Sequence, residues 1–399
     1  MPTRPIATKI VSTLQKAGHT AYFAGGWVRD YLLKVPSDDI DIATSASIEE
    51  IQTLFPKTIP VGIAFGILIV VEDGVHFEVA TFRKEKEYID GRRPSYIEKA
   101  SAEEDAQRRD FTINGLFFDP LEEKLFDFVG GAEDLKKGII KAIGDPHHRF
   151  LEDRLRMIRA VRYSTRFNFP IEWETKQAIL SHAKCLFPSV AIERVYQELS
   201  KMSRSDNFSQ GIILLHELSL LEIIFPSLKE TSAPSLPKFP NNCPLILKLL
   251  YLFPKDSLEK HLELADYLKL SKQEKEDIRF FHKGKSLLEM PSPWQKEIEN
   301  VEWAHFYANS LSALILSLFN VCHKEKIEEL FPYILRIQEK RPLIKANDLL
   351  EEGITPSPKM GQLLKEAERI SINTLSEDKK EILSLLKKQP LWPTKERPG

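Results

Sequence analysis

The chain has 399 residues with 56 Lys and Arg against 58 Asp and Glu, a net charge of -2, 42% hydrophobic and 29% charged residues. That apolar content, with 25 Pro and 17 Gly, excludes a disordered chain or a collagen-like fibre, and at about 100–200 residues per domain the length predicts two to four domains. The charge balance argues against a uniformly basic nucleic-acid coat but is compatible with a local basic surface.

The N-terminal stretch MPTRPIATKIVSTLQKAGHT places apolar residues at helical spacing instead of in one run, which predicts a helix and no signal peptide. Up to about residue 140, short apolar runs at 20–24, 66–71, 76–82 and 113–118 alternate with helical patterns and turns such as Asp73-Gly74, predicting a mixed α/β domain. The longest apolar stretches, such as 61–71, contain glycine and fall far short of the roughly 20 residues a membrane helix needs. From about 141 onward the β-branched runs stop. Leu, Ile, Lys and Glu then recur at three- and four-residue spacing, as at 193–202 and 211–224, so the remainder should be helical. Proline clusters at 232–244, 290–293 and 355–358 read as linkers between helical subdomains, and no internal repeat occurs at solenoid periods. Cys185, Cys243 and Cys322 lie far apart, without a CxxC or Cys/His cluster. This argues against a disulfide framework or zinc and for a reduced cytoplasm.

Chemistry first gathers at Ala21-Tyr-Phe-Ala-Gly-Gly-Trp-Val-Arg-Asp30, a strand, a Gly-Gly turn and a helix starting near Trp27. Backbone N–H groups at such a turn can hold phosphate, although a plain turn is the other reading. Next comes Asp38-Asp39-Ile40-Asp41-Ile42-Ala43-Thr44. On a strand, Asp39 and Asp41 share one face while Ile40 and Ile42 enter the core. Two converging carboxylates repel unless a cation lies between them, and Mg²⁺ is the natural hard, oxygen-preferring candidate. A pair of such ions can activate a hydroxyl and stabilise a leaving pyrophosphate. An exposed acidic loop is the alternative, and the preceding Gly-Gly turn weighs against it.

These residues resemble the nucleotidyltransferase head of the DNA polymerase β superfamily, in the version shared by class II tRNA nucleotidyltransferases and bacterial poly(A) polymerases. Gly25-Gly26-x-Val28-Arg29-Asp30 and Asp39-x-Asp41 match its opening, and Phe77-Glu-Val-Ala-Thr-Phe-Arg83 its next strand. Arg108-Arg-Asp-Phe-Thr-Ile-Asn114 matches its most distinctive heptapeptide, and Asp127-x-x-Gly130-Gly131-x-x-Asp134-Leu135 the following turn. The resemblance implies that Asp39 and Asp41 are catalytic and hold Mg²⁺. It also implies that Gly25, Gly26, Arg29, Arg109, Asp110 and Asn114 bind the nucleotide, the last three at ribose and triphosphate. Glu78 lies on the strand that carries a third carboxylate in the wider superfamily. Facing outward from an alternating strand would explain it equally well.

The stretch 149–162 carries apolar Leu151, Leu155 and Ile158, which predicts one amphipathic helix with Asp153, Arg156 and Arg159 along a neighbouring face. By itself that face could be an exposed ion-pair ladder. Glu152-Asp153-x-x-Arg156 resembles the family's protein template, which reads the incoming base in place of a nucleic-acid strand. Cytosine and adenine both present an amino donor beside a ring-nitrogen acceptor. A carboxylate can accept from the first while a guanidinium donates to the second. Uracil and guanine present the reverse pattern, leaving groups unpaired at about 1–3 kcal/mol each. Asp153 and Arg156 are thus the specificity candidates, with Arg159 in support. Glu193-Arg194-x-x-x-Glu198 resembles the motif closing this neck, but Ala191 stands where relatives often place a small hydroxyl residue, which puts the helix cap in doubt.

The polar stretch between Phe82 and Arg108 reads by itself as a plain surface loop; in the family it lies where a flexible loop permits the switch to adding A, and it is close to full length. This favours a complete CCA-adding enzyme or an A-adding specialist over one that adds only C. Val61-Gly-Ile-Ala-Phe-Gly-Ile-Leu-Ile-Val70 is similar to the tRNA-specific branch, unlike the basic element of the poly(A) polymerases. No His-Asp pair occurs, so an attached phosphohydrolase domain is not expected. Lys345-x-Asn347-Asp348-Leu349-Leu350 with Gly353, Pro356, Pro358 and Gly361 resembles the tail element that meets the tRNA elbow, with a helix-turn-helix packing unit as the other reading.

The expected architecture is α+β: a mixed-sheet head at 1–140, then all-α neck (141–205), body (206–330) and tail (331–399). The implied activity is template-independent addition of C and A from CTP and ATP to the 3′ end of tRNA, with no membrane and no inferable protein partner. An A-adding-only enzyme or a poly(A) polymerase is the alternative; the intact Asp39, Asp41, Asp153 and Arg156 speak against a silent RNA-binding protein. Overall neutrality conceals residues 149–166, where six arginines face only Glu152 and Asp153.

Overall fold

The computed structural model describes residues 3–63, 66–88, 94–229, 231–289 and 298–393. Helix α1 (Thr3–Lys16) buries Ile6, Ile10 and Leu14 at helical spacing. They join Phe23, Ile42, Leu68, Phe77, Val79 and Phe118 in one core, which lies on one face of a seven-stranded sheet. Its strands are β1 (Ala21–Ala24), β2 (Asp41–Thr44), β3 (Thr58–Gly62), β4 (Ile67–Glu72), β5 (Val75–Thr81), β8 (Leu116–Asp119) and β9 (Lys124–Asp127), in the order β3-β4-β5-β2-β1-β8-β9. Strands β2 and β5 run parallel and the other neighbours antiparallel. The opposite face carries a second cluster of Ala24, Ala43, Phe82, Ala106 and Phe117. The switch from Phe23 to Ala24, Ile42 to Ala43 and Phe118 to Phe117 is the period-two alternation of a sheet covered on both sides.

Four helices complete this region: α2 (Gly26–Leu32), α3 (Ile48–Leu54), α4 (Ala102–Gln107) and α5 (Gly131–Lys137). The run expected as a strand over 113–118 opens with a 3₁₀ turn at Thr112–Asn114, and β8 starts at Leu116. The Asp127 motif has a structural task. Its Oδ1 accepts from the Gly131 N–H and its Oδ2 from the Ala132 N–H, each at 2.9 Å, so that Asp127 caps α5. A Cβ on Gly131 would stand 2.1 Å from the Thr112 carbonyl oxygen, so only glycine allows α5 this close to the turn bearing Asn114. The polar stretch after Phe82 contains a two-stranded antiparallel hairpin, β6 (Arg83–Tyr88) and β7 (Pro94–Lys99). Its sequence lacks apolar alternation, so nothing local announces it. Residues 64–65 of the tRNA-branch motif, and 89–93, lie outside the described residues.

Beyond 140 the regular elements among the described residues are helices, apart from isolated bridges; those of the first part are α6 (Pro146–Glu152), α7 (Leu155–Phe167), α8 (Trp173–His182), α9 (Ile192–Met202), α10 (Phe208–Glu217) and α11 (Leu221–Ile224). The single helix expected over 149–162 is two. Asp153 adopts an extended conformation at the end of α6, and its Oδ1 accepts the Leu155 N–H at 3.0 Å. A short acidic side chain thereby supplies a local alternative to the helical hydrogen bond. Leu151, expected on the buried stripe, is 46% exposed, whereas Leu155 and Ile158 are buried. Helix α9 starts after Ala191, which offers no side-chain cap. The helical pattern over 211–224 is likewise interrupted, between α10 and α11.

The chain divides into two compact units, 1–237 and 238–399. The division falls within the proline cluster at 232–244. The expected boundary at 205/206 lies inside the first unit, because α10 packs tightly on α7 and α9: a Cβ on Gly211 would meet Thr165 Oγ1 at 2.5 Å and Met202 Sδ at 2.8 Å. In the second unit the described residues form helices from Leu245–Leu250 to Lys379–Lys387. Residues 355–358, expected as a linker, are instead a turn inside one core shared by Leu349, Ile354, Met360 and Leu363. The 345–361 element is thus a helix-turn-helix, in which the Asp348 carboxylate accepts the Lys345 N–H at 2.7 Å. The proline cluster at 290–293 lies outside the described residues.

Candidate active site

A cleft of about 1150 Å³ opens in the first unit, and every site residue expected from the sequence lines it: Gly25, Gly26, Arg29, Asp39, Asp41, Arg109, Asp110, Asn114, Asp153, Arg156 and Arg159. Sheet register builds one wall. Ala24 lies opposite Asp41, which puts the first carboxylate of β2 beside the Gly25-Gly26 turn. Ile42 pairs with Val79, and both belong to the α1-side core. Asp41 and Glu78, one residue back on each strand, therefore project from the other face; Asp39, expected on the same strand, precedes β2, which starts at Asp41, and lines the cleft from the segment leading into it.

Asp41 is pushed up to about 7 by burial and by the nearby negative charges of Glu78 and Asp39, against a smaller opposing influence of Arg109. Crowded carboxylates of this kind favour a bound cation. Among the described residues no group of three His, Cys, Asp or Glu side chains is gathered closely enough to hold a metal ion. A carboxylate pair fits a hard divalent ion that completes its coordination with water and substrate phosphate oxygens.

Gly25 has φ +62, and a Cβ there would stand 2.8 Å from Arg109 Nη1. The missing side chain is what admits Arg109, whose Nη1 donates to the Asn114 carbonyl at 3.3 Å and whose Nη2 pairs with Asp105 at 3.0 Å. Asn114 is clamped on all sides. Arg29 donates to its Oδ1, and its Nδ2 donates to Asp110 Oδ1 at 2.9 Å. Arg29 is 2% exposed, with its remaining donors on Asp30. Although it lines the cleft, it holds Asn114 and presents no free fork. Burial would raise Asp110, but the Arg159 charge and hydrogen bond, the Asn114 amide and the nearby Arg156 charge together outweigh it, and the carboxyl is held down at about 2.

The other wall is made by α6, α7 and α9. Asp153 accepts from Arg194 Nη1 and Nη2 at 3.4 and 3.0 Å. Arg156 donates to Glu152 Oε2 at 2.6 Å, to the Arg149 carbonyl at 3.1 Å and to the Arg108 carbonyl at 3.2 Å. Arg159 donates to Asp110 at 2.7 Å and to the Tyr163 hydroxyl at 3.1 Å. Glu198, 4% exposed, receives Arg162 and stands 3.7 Å from Arg159. Asp153, Arg156 and Arg159 therefore reach the cleft with their orientations set by neighbouring groups.

The cleft also takes in residues that sequence reasoning did not assign: Arg108, Arg162, Tyr163, Arg166, Arg194, Lys201 and Arg204. Extending the Arg156–Arg159 spacing would have reached Arg162 and Arg166, and Arg194 sat in a quoted motif; Arg204 carried no signal. In all, ten basic side chains face five acidic ones, a surplus suited to a polyphosphate.

Comparison with known proteins places this geometry in context. Residues 21–141 match the family described as "Poly A polymerase head domain", and residues 168–231 the one described as "Probable RNA and SrmB- binding site of polymerase A". A CCA-adding enzyme of Geobacillus sp. (strain WCH70) is 36% identical over 389 residues, 94% of each chain. One from Anoxybacillus flavithermus is 47% identical over 215 residues, 54% of each chain, about half the length of either. The crystal structure of Bacillus stearothermophilus CCA-adding enzyme in complex with CTP superposes with a TM-score of 0.79 at 28% identity, covering 97% of both chains.

Proposed function

The chain belongs to the CCA-adding enzymes, tRNA nucleotidyltransferases with a poly(A) polymerase head, and from that premise we propose that it adds C and A from CTP and ATP to the 3′ end of tRNA without a nucleic-acid template. The observation that carries the reading is the convergence of Asp39 and Asp41 on one wall and Asp153 and Arg156 on the other of a single basic cleft. That arrangement can hold a nucleotide by its base at one end and its phosphates at the other.

Asp39 and Asp41 are the residues to hold Mg²⁺. When bound, the metal supplies activation of the tRNA 3′-hydroxyl for in-line attack on the α-phosphorus and charge neutralisation for the departing pyrophosphate. The chain's own residues do the positioning. Asp153, oriented by Arg194, accepts from the amino group common to cytosine and adenine, and Arg156, braced by Glu152, donates to the adjacent ring nitrogen. Arg109, Asp110 and Asn114 meet ribose and triphosphate as one hydrogen-bonded unit that Arg159 supports, and Arg29 holds it from behind. One pocket serves both bases, because both present the same donor–acceptor pair.

The head is assigned to residues 1–140, the base-reading neck with α10 and α11 to 141–237, the body to 238–330 and the tRNA-elbow contact to the tail at 331–399. The cytoplasm suits the three free thiols, and among the described residues no helix is long and apolar enough to cross a membrane. The test uses tRNA transcripts ending at the discriminator base, after C, or after CC, each given CTP or ATP alone. Addition of C to the first two and of A to the third is expected. Addition of A to the CC end without any C addition would assign an A-adding specialist, and processive A addition to unstructured RNA a poly(A) polymerase.

A further inference from the structure

The basic side chains of the cleft fall into two sets. Seven of the ten, Arg29, Arg108, Arg109, Arg156, Arg159, Arg162 and Arg194, are each paired with a carboxylate that is mostly or wholly buried. Arg166, Lys201 and Arg204 differ. Arg166 pairs with Asp30 at 2.9 Å yet is 42% exposed. Lys201 is 54% exposed and lies 3.6 Å from Glu198, whose charge Arg162 and Arg159 already share. Arg204 is exposed and makes no ion pair or hydrogen bond among the described residues. Asp206 also lines this end and subtracts one charge.

These cations stand on a braced corner. Ser205 Oγ and Asn207 Nδ2, between α9 and α10, both donate to the Thr165 carbonyl at 3.2 Å, pinning the corner against the end of α7. Asp153 and Arg194 meet at the opposite ends of α7 and α9. At about 1.5 Å per residue, the length of α7 puts roughly 16 Å between the base-reading pair and this corner.

We propose that Lys201 and Arg204, with Arg166 beside them, form a ledge that binds the phosphodiester backbone of the acceptor strand of tRNA. The proposal rests on the reading that the chain acts on tRNA, and it names residues that reading leaves without a task. Cations left solvated at the mouth meet a polyanion arriving from solvent and release its counterions, which fixes its position without reading its sequence. Lys201 and Arg204 also fall within residues 168–231, the segment matched to an RNA-binding family. The terminal phosphates of the nucleotide are the other source of the same chemistry.

The test uses the full chain with Lys201→Glu and Arg204→Glu, singly and together. Affinity for a tRNA transcript ending at the discriminator base is measured without nucleotide over a salt series, and KM for CTP separately. The double variant is expected to bind tRNA at least about tenfold more weakly, with the log–log salt slope shallower by about two, while KM for CTP is retained. Lys201→Ala with Arg204→Ala should move tRNA affinity the same way by less, and this guards against misfolding from charge reversal. Unchanged tRNA affinity overturns the ledge, and so does a raised KM for CTP with tRNA affinity intact, which would give these cations to the nucleotide's phosphates. Binding without nucleotide needs no turnover, so a wild-type chain that adds neither C nor A would count against the proposed function and leave this result readable.

Discussion

Arg159 on α7 donates to the Asp110 carboxylate at 2.7 Å, across a separation of 49 residues, and so ties the heptapeptide before β8 to the helix that carries Arg156. Asp110 in turn receives Asn114 at 2.9 Å. The two walls of the cleft are therefore tied by a charged contact, and a change at either partner should be felt on both.

Asp110 should leave a signature in acid. Its carboxyl is held down at about 2, below the unfolded value of about 3.9. A depressed carboxylate contributes stability above its unfolded pKa and loses it as pH falls through the folded value, here between about 4 and 2. The contribution is about 2 kcal/mol at neutral pH. Urea denaturation of wild type and Asp110→Asn should show a stability difference that narrows over that window; a difference independent of pH would contradict the assignment.

Gly25→Ala should be costly where Gly26→Ala is not. The first combines φ +62 with a Cβ 2.8 Å from Arg109 Nη1, whereas the second meets only Arg29 Nη2 at 3.7 Å. A loss of about 1–2 kcal/mol is expected for Gly25→Ala. Incorporation of C and of A should fall together as Arg109 leaves the Asn114 carbonyl. Equal denaturation midpoints and activities for the two variants would show that the close approach is not needed.

Asp39→Ala and Asp41→Ala should each lower C and A incorporation by at least about a hundredfold, with tRNA binding kept. A chelator should do the same to the wild-type chain, and Mg²⁺ should restore it. Robust incorporation by either variant would remove that carboxylate from the chemistry.

Arg156→Ala should mainly damage base choice. Loss of one base contact is worth about 1–3 kcal/mol, or roughly ten- to a hundredfold in the ratio of kcat/KM for CTP to that for UTP. Arg156 also braces Glu152 and the Arg108 carbonyl, so some stability will go with it. The ratio is insensitive to the fraction folded, and its preservation would place specificity elsewhere. Arg156→Lys should fail to restore the ratio, because an ammonium lacks the guanidinium fork.

Much of the head was legible in the chain because a sheet covered on both faces writes its alternation into adjacent residues. Phe23 with Ala24 and Ile42 with Ala43 took opposite faces as the spacing required. The hairpin of β6 and β7 was not legible, since Arg83-Lys-Glu-Lys-Glu-Tyr88 has no apolar period and is defined by its backbone pairing. The break between α6 and α7 was hidden for a different reason: Asp153 preserves the helical spacing of its neighbours while its side chain captures the Leu155 N–H.

By itself, the sequence determined which residue types could do the chemistry and roughly which elements carry them, because the Gly-Gly turn, Asp39-x-Asp41 and Asp153-x-x-Arg156 are local patterns with local geometry. Only the tertiary structure decided what holds those residues in place. Arg194 reaches Asp153 across 41 residues, and α10 closes onto α7 where Gly211 leaves room. Such partners are set by how helices pack, and packing depends on the shapes of surfaces that are distant along the chain and adjacent only once it has folded.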